Sequence, residues 1–149
     1  MGLVTFNYLV EKRKPKQVRI LKRFLPEIFS QEGKRLKTIN YIFCSDEYLL
    51  KINQKYLSHD CYTDIITFEL NDKAKPVISD IYISVDRVRE NAHNLNQNYQ
   101  TELIRVIIHG ALHLCGYKDK SKRDKELMRQ KESHYINSFE YTFSRGTHK

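Results

Sequence analysis

The chain has 149 residues, of which 40% are apolar and 30% charged, a length and balance that exclude a disordered tail and suit one domain. Lysine and arginine outnumber aspartate and glutamate by 26 to 18, giving a formal charge of +8 and a pI near 9.4, which favours a polyanionic partner over an acidic competitor. No run approaches the ~18 apolar residues of a membrane span, the start MGLVTFNYLVEKRKP has no leader-like apolar core, and Phe6 stands where a myristoylation signal needs Ser or Thr.

In chain order, Val4 to Val10 read as a strand, and after Pro15 the positions Val18, Leu21, Leu25 and Ile28 repeat as one helix face. Pro26 is expected to kink or divide that helix. Ile39, Tyr41 and Phe43 alternate as a strand, and Ser45-Asp46-Glu47 opens a helix from about Asp46 to Leu57. A turn at Ser58 to Asp60 leads to DIITFEL, whose β-branched and aromatic run predicts a well-buried strand; NDKAKP is a loop and IYISV a further strand. Asp86 is the expected cap of a helix carrying Val88, Ala92 and Leu95, ended by Asn96 to Asn98. Thr101 precedes a helix over Glu102–Cys115. The last helix, about Ser121 to Asn137, has Leu127, Met128 and Ile136 as its expected contacts, with the tail after Phe139 unassigned. Strands and helices intersperse without strict βαβ repetition, so the predicted class is α+β: a small mixed sheet flanked by helices, with a metal site at the end of a central buried helix.

That metal site is read from HGALHLCGYKD, His109 to Asp119. Around the Glu102–Cys115 helix, Leu103, Val106, Ile107, Gly110 and Leu114 share one face, and Ile104, Ile108, Ala111, Leu112 and Cys115 cover most of the rest. One narrow stripe is left, holding Glu102, Arg105, His109 and His113. Four residues are a rise of about 6 Å, which lets two imidazoles converge on one ion at about 2.0–2.1 Å each. Gly116 is placed to reverse the chain and bring Asp119 back as a third, anionic ligand. The spacing H-x3-H-x2-G-x2-D differs in two places from the HExxHxxGxxH pattern of certain metallopeptidases. Gly110 stands where their general-base glutamate would be, which counts against peptide cleavage more than against phosphodiester cleavage.

Charge of the matching sign surrounds the motif. Lys118, Lys120, Lys122, Arg123 and Lys125 follow it, offset by Asp119, Asp124 and Glu126, and Lys12 to Arg23 contains seven basic residues and no acid. Such clusters can track a phosphate backbone; the competing reading is a solvated surface. Cys44, Cys61 and Cys115 are odd in number and lack CxxC spacing, as in a reducing compartment, so a cytoplasmic location is expected. Cys115 projects away from the histidines and reads as a core thiol. His59, His93, His134 and His148 lack metal-like spacing. Phe68, Tyr41 and Tyr82 fit strand packing, whereas Tyr117 suits either packing or base stacking.

These residues resemble the YbeY family, bacterial zinc-dependent endoribonucleases of ribosomal RNA maturation and ribosome quality control. Its signature is similar to HGxLHLxGYDH, and YTDIITF and SDIYISVDRVRENA look like two further family stretches; the resemblance runs from about Leu36 to Ile136. It implies one Zn2+ per chain held by His109, His113 and Asp119, and action on single-stranded ribosomal precursor RNA, including the 16S 3′ end. It also implies the small ribosomal subunit as partner, with a ribosomal protein or GTPase beside it. The family usually has histidine at position 119, and an arginine important for activity at the position of Leu57; Arg87, Arg105 and Lys118 are the candidate substitutes. Arg105 and Lys118 are accordingly expected catalytic helpers, and Lys118, Lys120, Lys122, Arg123 and Arg87 RNA contacts. The alternatives are a metallopeptidase and a non-catalytic, metal-stabilised ribosome-assembly factor.

Overall fold

Period-two alternation in short apolar segments builds the sheet. In this computed structural model, which describes residues 2–57 and 63–147, the strands are β1 (Leu3–Tyr8), β2 (Leu36–Cys44), β3 (Ile65–Glu69) and β4 (Val77–Ser84). They lie in the order β1-β2-β4-β3, with β1 parallel to β2, β2 parallel to β4, and β3 antiparallel to β4. Five helices occur among the described residues: α1 (Val18–Gln31), α2 (Asp46–Leu57), α3 (Val85–Asn94), α4 (Tyr99–Leu114) and α5 (Lys122–Thr147). The expected α+β class with a mixed sheet is the observed one.

Ile39, Tyr41 and Phe43 of β2 and Ile81 and Ile83 of β4 point to one side, where α1, α4 and α5 pack a single large core. The alternate residues Cys44, Ile66, Phe68 and Tyr82 point to the other side and are covered by α2 through Leu49 and Ile52. Helix α4 is buried on nearly its whole circumference, Leu103, Ile107, Ile108, Ala111 and Leu112 being fully enclosed. The Tyr41 hydroxyl donates to the Ile107 carbonyl at 2.8 Å, tying β2 to the middle of α4. Gly110 lets α4 lie against the sheet: a Cβ there would sit 2.9 Å from Ile65 Cδ1 and 3.3 Å from Ile81 Cδ1.

Several expectations are corrected. Pro26 does not divide α1, which runs unbroken from Val18 to Gln31; Leu21, Phe24, Leu25, Ile28 and Phe29 anchor both sides of it in the core, and the carbonyl of Lys22, which loses its donor, belongs to an exposed residue. β3 is an edge strand and only half-buried, because β4 pairs on one side of it alone. Ser84, not Asp86, caps α3, its hydroxyl accepting from Arg87 N at 3.1 Å. Asp86 instead accepts from Asp46 N at 2.9 Å, at the start of α2, where Ser45 Oγ also accepts from Tyr48 N. Asn98 caps α4, so that helix begins two residues before Thr101. α5 extends through the unassigned tail to Thr147, and Leu127 is 43% exposed; the buried stripe is Met128, Glu132, Tyr135 and Phe139. The turn at Ser58 to Asp60, His59, Cys61, His148 and the side chain of Leu57 lie outside the described residues.

Candidate metal centre

The last turn of α4 is built by two backbone hydrogen bonds. Tyr117 N donates to Leu112 O at 3.1 Å and Gly116 N to His113 O at 3.0 Å, with Gly116 at φ +108°. This is the helix-ending reversal that a left-handed residue permits. It directs Lys118, Asp119 and Lys120 back over the helix end, where they line one cavity of about 490 Å³ with Thr63, Asp64, Ile65, Thr67, His109 and His113. The structure thus brings both motif histidines and the motif aspartate to one cleft.

His109 is held from behind. Its Nδ1 lies 2.6 Å from Glu132 Oε2 on α5, and Glu132 is only 4% exposed. An ionised carboxylate only accepts, so the imidazole donates from Nδ1 and Nε2 is the nitrogen left toward the cleft. Nε2 faces Asp119 Oδ2 at 3.9 Å. A carboxylate behind a histidine whose other nitrogen faces a cleft is the arrangement that fixes the tautomer of metal-binding histidines. Arg105 bridges two buried acids: Nη1 donates to Glu132 Oε1 at 3.2 Å, while Nε and Nη2 donate to Glu102 at 2.8 and 2.5 Å. The hydrogen bonds to Glu102 first, then the nearby charges, outweigh desolvation and raise the Arg105 pKa above its usual value. Glu102, expected on the polar stripe, is 2% exposed and paired with the half-buried Arg105.

Among the described residues no three His, Cys, Asp or Glu side chains already stand at closed metal-ligand spacing. Nevertheless the donor chemistry fits a divalent metal: two imidazoles, one backed by a buried carboxylate, and a half-exposed Asp119 on the loop that lines the same cleft.

The other predicted residues divide by location. Lys118 and Lys120 line the cleft; Lys122 and Arg123 are exposed at the start of α5 and do not line it. Arg87 donates to Asp46 at 2.8 Å and Glu90 at 3.4 Å and does not line the cleft either. Arg105 is bonded on both flanks by carboxylates, which suits positioning better than phosphate binding. Cys115 is a buried free thiol pushed up by burial to about 12, as a core cysteine would be. The Tyr117 hydroxyl donates to Glu32 at 2.6 Å, and Tyr41 and Tyr82 pack in strands.

Two residues escaped the sequence reading. Glu132 is one; the available signal was a carboxylate within the apolar stripe Met128, Tyr135 and Phe139. Asp64 is the other, a carboxylate at the mouth of β3 that lines the cleft, accepts from Asn91 Nδ2 at 3.2 Å and has its pKa raised, chiefly by burial.

A sequence model of the YbeY family, described as Endoribonuclease YbeY, matches residues 8–140. A Porphyromonas gingivalis protein named Endoribonuclease YbeY is 54% identical over 114 residues, covering 76% of this chain and 75% of that one. A Flavobacterium psychrophilum protein of the same name is 45% identical over 139 residues, covering 92% and 96%. A Thermotoga maritima protein solved in solution superposes with a TM-score of 0.65 at 27% identity, covering 98% of this chain and 93% of that one. Motif, fold and relatives agree: the chain belongs to the YbeY endoribonuclease family.

Proposed function

We propose that this protein is a zinc-dependent endoribonuclease that cuts single-stranded RNA, with His109, His113 and Asp119 as the ligands of one zinc ion per chain. The observation that carries the reading is His109, fixed through Nδ1 on buried Glu132 at 2.6 Å with Nε2 turned to Asp119 at 3.9 Å, across a cleft that His113 also lines. His109 Nε2 and Asp119 Oδ2 are two of the donor atoms that would hold the ion, with His113 on the same cleft as the third ligand. Held by these residues, zinc would supply Lewis-acid chemistry toward a phosphoryl oxygen and would make water more acidic.

The chain's own side chains do the rest. Lys118 and Lys120 line the cleft and offset the charge that develops on the phosphate. Asp64, raised in pKa by burial within the same cleft, is the carboxylate placed to exchange a proton with the reacting groups. Position 110 has no room for the glutamate of a peptidase, which disfavours peptide cleavage. Family membership and the +8 charge support RNA as substrate; ribosomal precursor RNA on the small subunit, including the 16S 3′ end, in the cytoplasm is the setting proposed, with a ribosomal protein or GTPase as companion.

Metal analysis paired with an RNA cleavage assay tests this. Wild type is expected to hold one zinc per chain and cut single-stranded RNA, and His113→Ala to lose both properties. Zinc-loaded wild type that leaves RNA intact across salt and metal conditions overturns the proposal.

A further inference from the structure

We infer that the RNA strand leaves the histidine cleft through the groove beside it, where Lys34, Lys73 and Lys75 bind its phosphates. The inference rests on the endoribonuclease reading and adds the path of the substrate. A second cavity, of about 360 Å³, lies between the turn joining α1 to β2, the turn joining β3 to β4, and the end of α4. It shares His113 and Lys118 with the histidine cleft, so the two cavities adjoin at the end of α4.

The groove is cationic although its cations come from three separate parts of the chain. Lys34, Arg35, Lys73, Lys75 and Lys118 line it against only two carboxylates, Glu69 and Asp72. Arg35 Nη2 donates to the Ala74 carbonyl at 3.1 Å, which pins the two turns together as opposite walls. Lys75 stands 4.0 Å from Asp72 with both side chains largely exposed, a pair too weak to hold it from a phosphate. Tyr117 is the aromatic in the lining, and its hydroxyl is already bound to Glu32. Contact by charge, without a platform of stacking rings, follows the backbone and tolerates any sequence.

The longest basic run in the sequence lies elsewhere. Lys16 N donates to Gln100 Oε1 at 3.1 Å, and Gln100 and Tyr99 side chains donate to the Lys14 and Arg13 carbonyls. That run therefore docks on the first turn of α4, about 20 Å along the helix from His113 at 1.5 Å per residue.

The test compares wild type, Lys73→Ala/Lys75→Ala, and the charge-matched pair Lys12→Ala/Lys16→Ala; all four lysines are exposed. Anisotropy of a labelled single-stranded oligoribonucleotide is followed across salt concentrations, alongside steady-state cleavage. The groove pair is expected to lower the slope of log affinity against log salt by about 0.7 per lysine and to raise KM severalfold with kcat little changed, while the Lys12/Lys16 pair behaves as wild type. A groove variant indistinguishable from wild type, as when those lysines face an acidic protein instead, overturns the inference. So does an equal loss in both pairs, which marks a net-charge effect. Wild type that neither binds nor cuts RNA defeats the endoribonuclease reading itself, an outcome distinct from an active wild type matched by its groove variant.

Discussion

Glu132 is an acid buried on one helix to hold a base on another, and such burial costs several kcal/mol unless every charge is answered. Arg105 and His109 answer it from α4. Glu132→Gln keeps the shape and an accepting oxygen but loses the charge that strengthens the bond to Nδ1. Zinc affinity, read by chelator competition, is expected to fall ten- to 100-fold; unchanged affinity would make the contact purely structural. Gly110 sets the opposite constraint. Restoring the peptidase glutamate with Gly110→Glu drives a carboxylate into Ile65 and Ile81 and is expected to cost about 3 kcal/mol or more in urea unfolding; a midpoint equal to wild type would refute the packing argument.

Helix ends decide what the site contains. Gly116→Ala forces a Cβ into a left-handed conformation where nothing else obstructs it, so the expected loss is about 1 kcal/mol, with weaker metal binding as the Asp119 loop is displaced. The end of α1 is tied to α5 by Glu32, which accepts from Tyr117, Tyr135 and Lys131. Burial raises its pKa, but those hydrogen bonds outweigh burial and leave it lowered. The unfolded chain therefore binds that proton more readily. The stabilisation is present above the ordinary carboxyl value of 4.5 and disappears as pH falls through the lower folded pKa. Wild type is thus expected to exceed Glu32→Gln in stability at neutral pH, with the gap closing in acid-range denaturant titrations. What was legible in the sequence follows the same division. The α4 motif could be read because its spacing and its glycine stop are local, within eleven consecutive letters. Glu132 could not, because it meets His109 across 23 residues of chain, and the groove lysines could not, because three turns distant in sequence assemble them. Asp86 misled for a related reason: it stands in the first turn of its own helix, two residues past the cap, yet it serves the helix beside it.

At the scale of the molecule, the cleft lies at the β3 edge of the sheet, while the core is closed by α1, α4 and α5 without any help from the ligands. Chelation is therefore expected to abolish RNA cleavage while leaving the far-ultraviolet circular dichroism intact. Tm should drop by about 5–10 °C when the ion had been present at 100 times its Kd. Collapse of the spectrum on chelation would instead mark a metal that holds the fold together. The bridge from Arg105 and His109 to Glu132 carries one more consequence. Helix α5 has no residue among the proposed ligands, yet the orientation of the His109 imidazole depends on its being seated, through Glu132. If the proposed zinc binds there, its uptake and α5 docking would be a single linked equilibrium, each favouring the other by the same free energy. A partner that grips α5 would be holding the metal site at one remove.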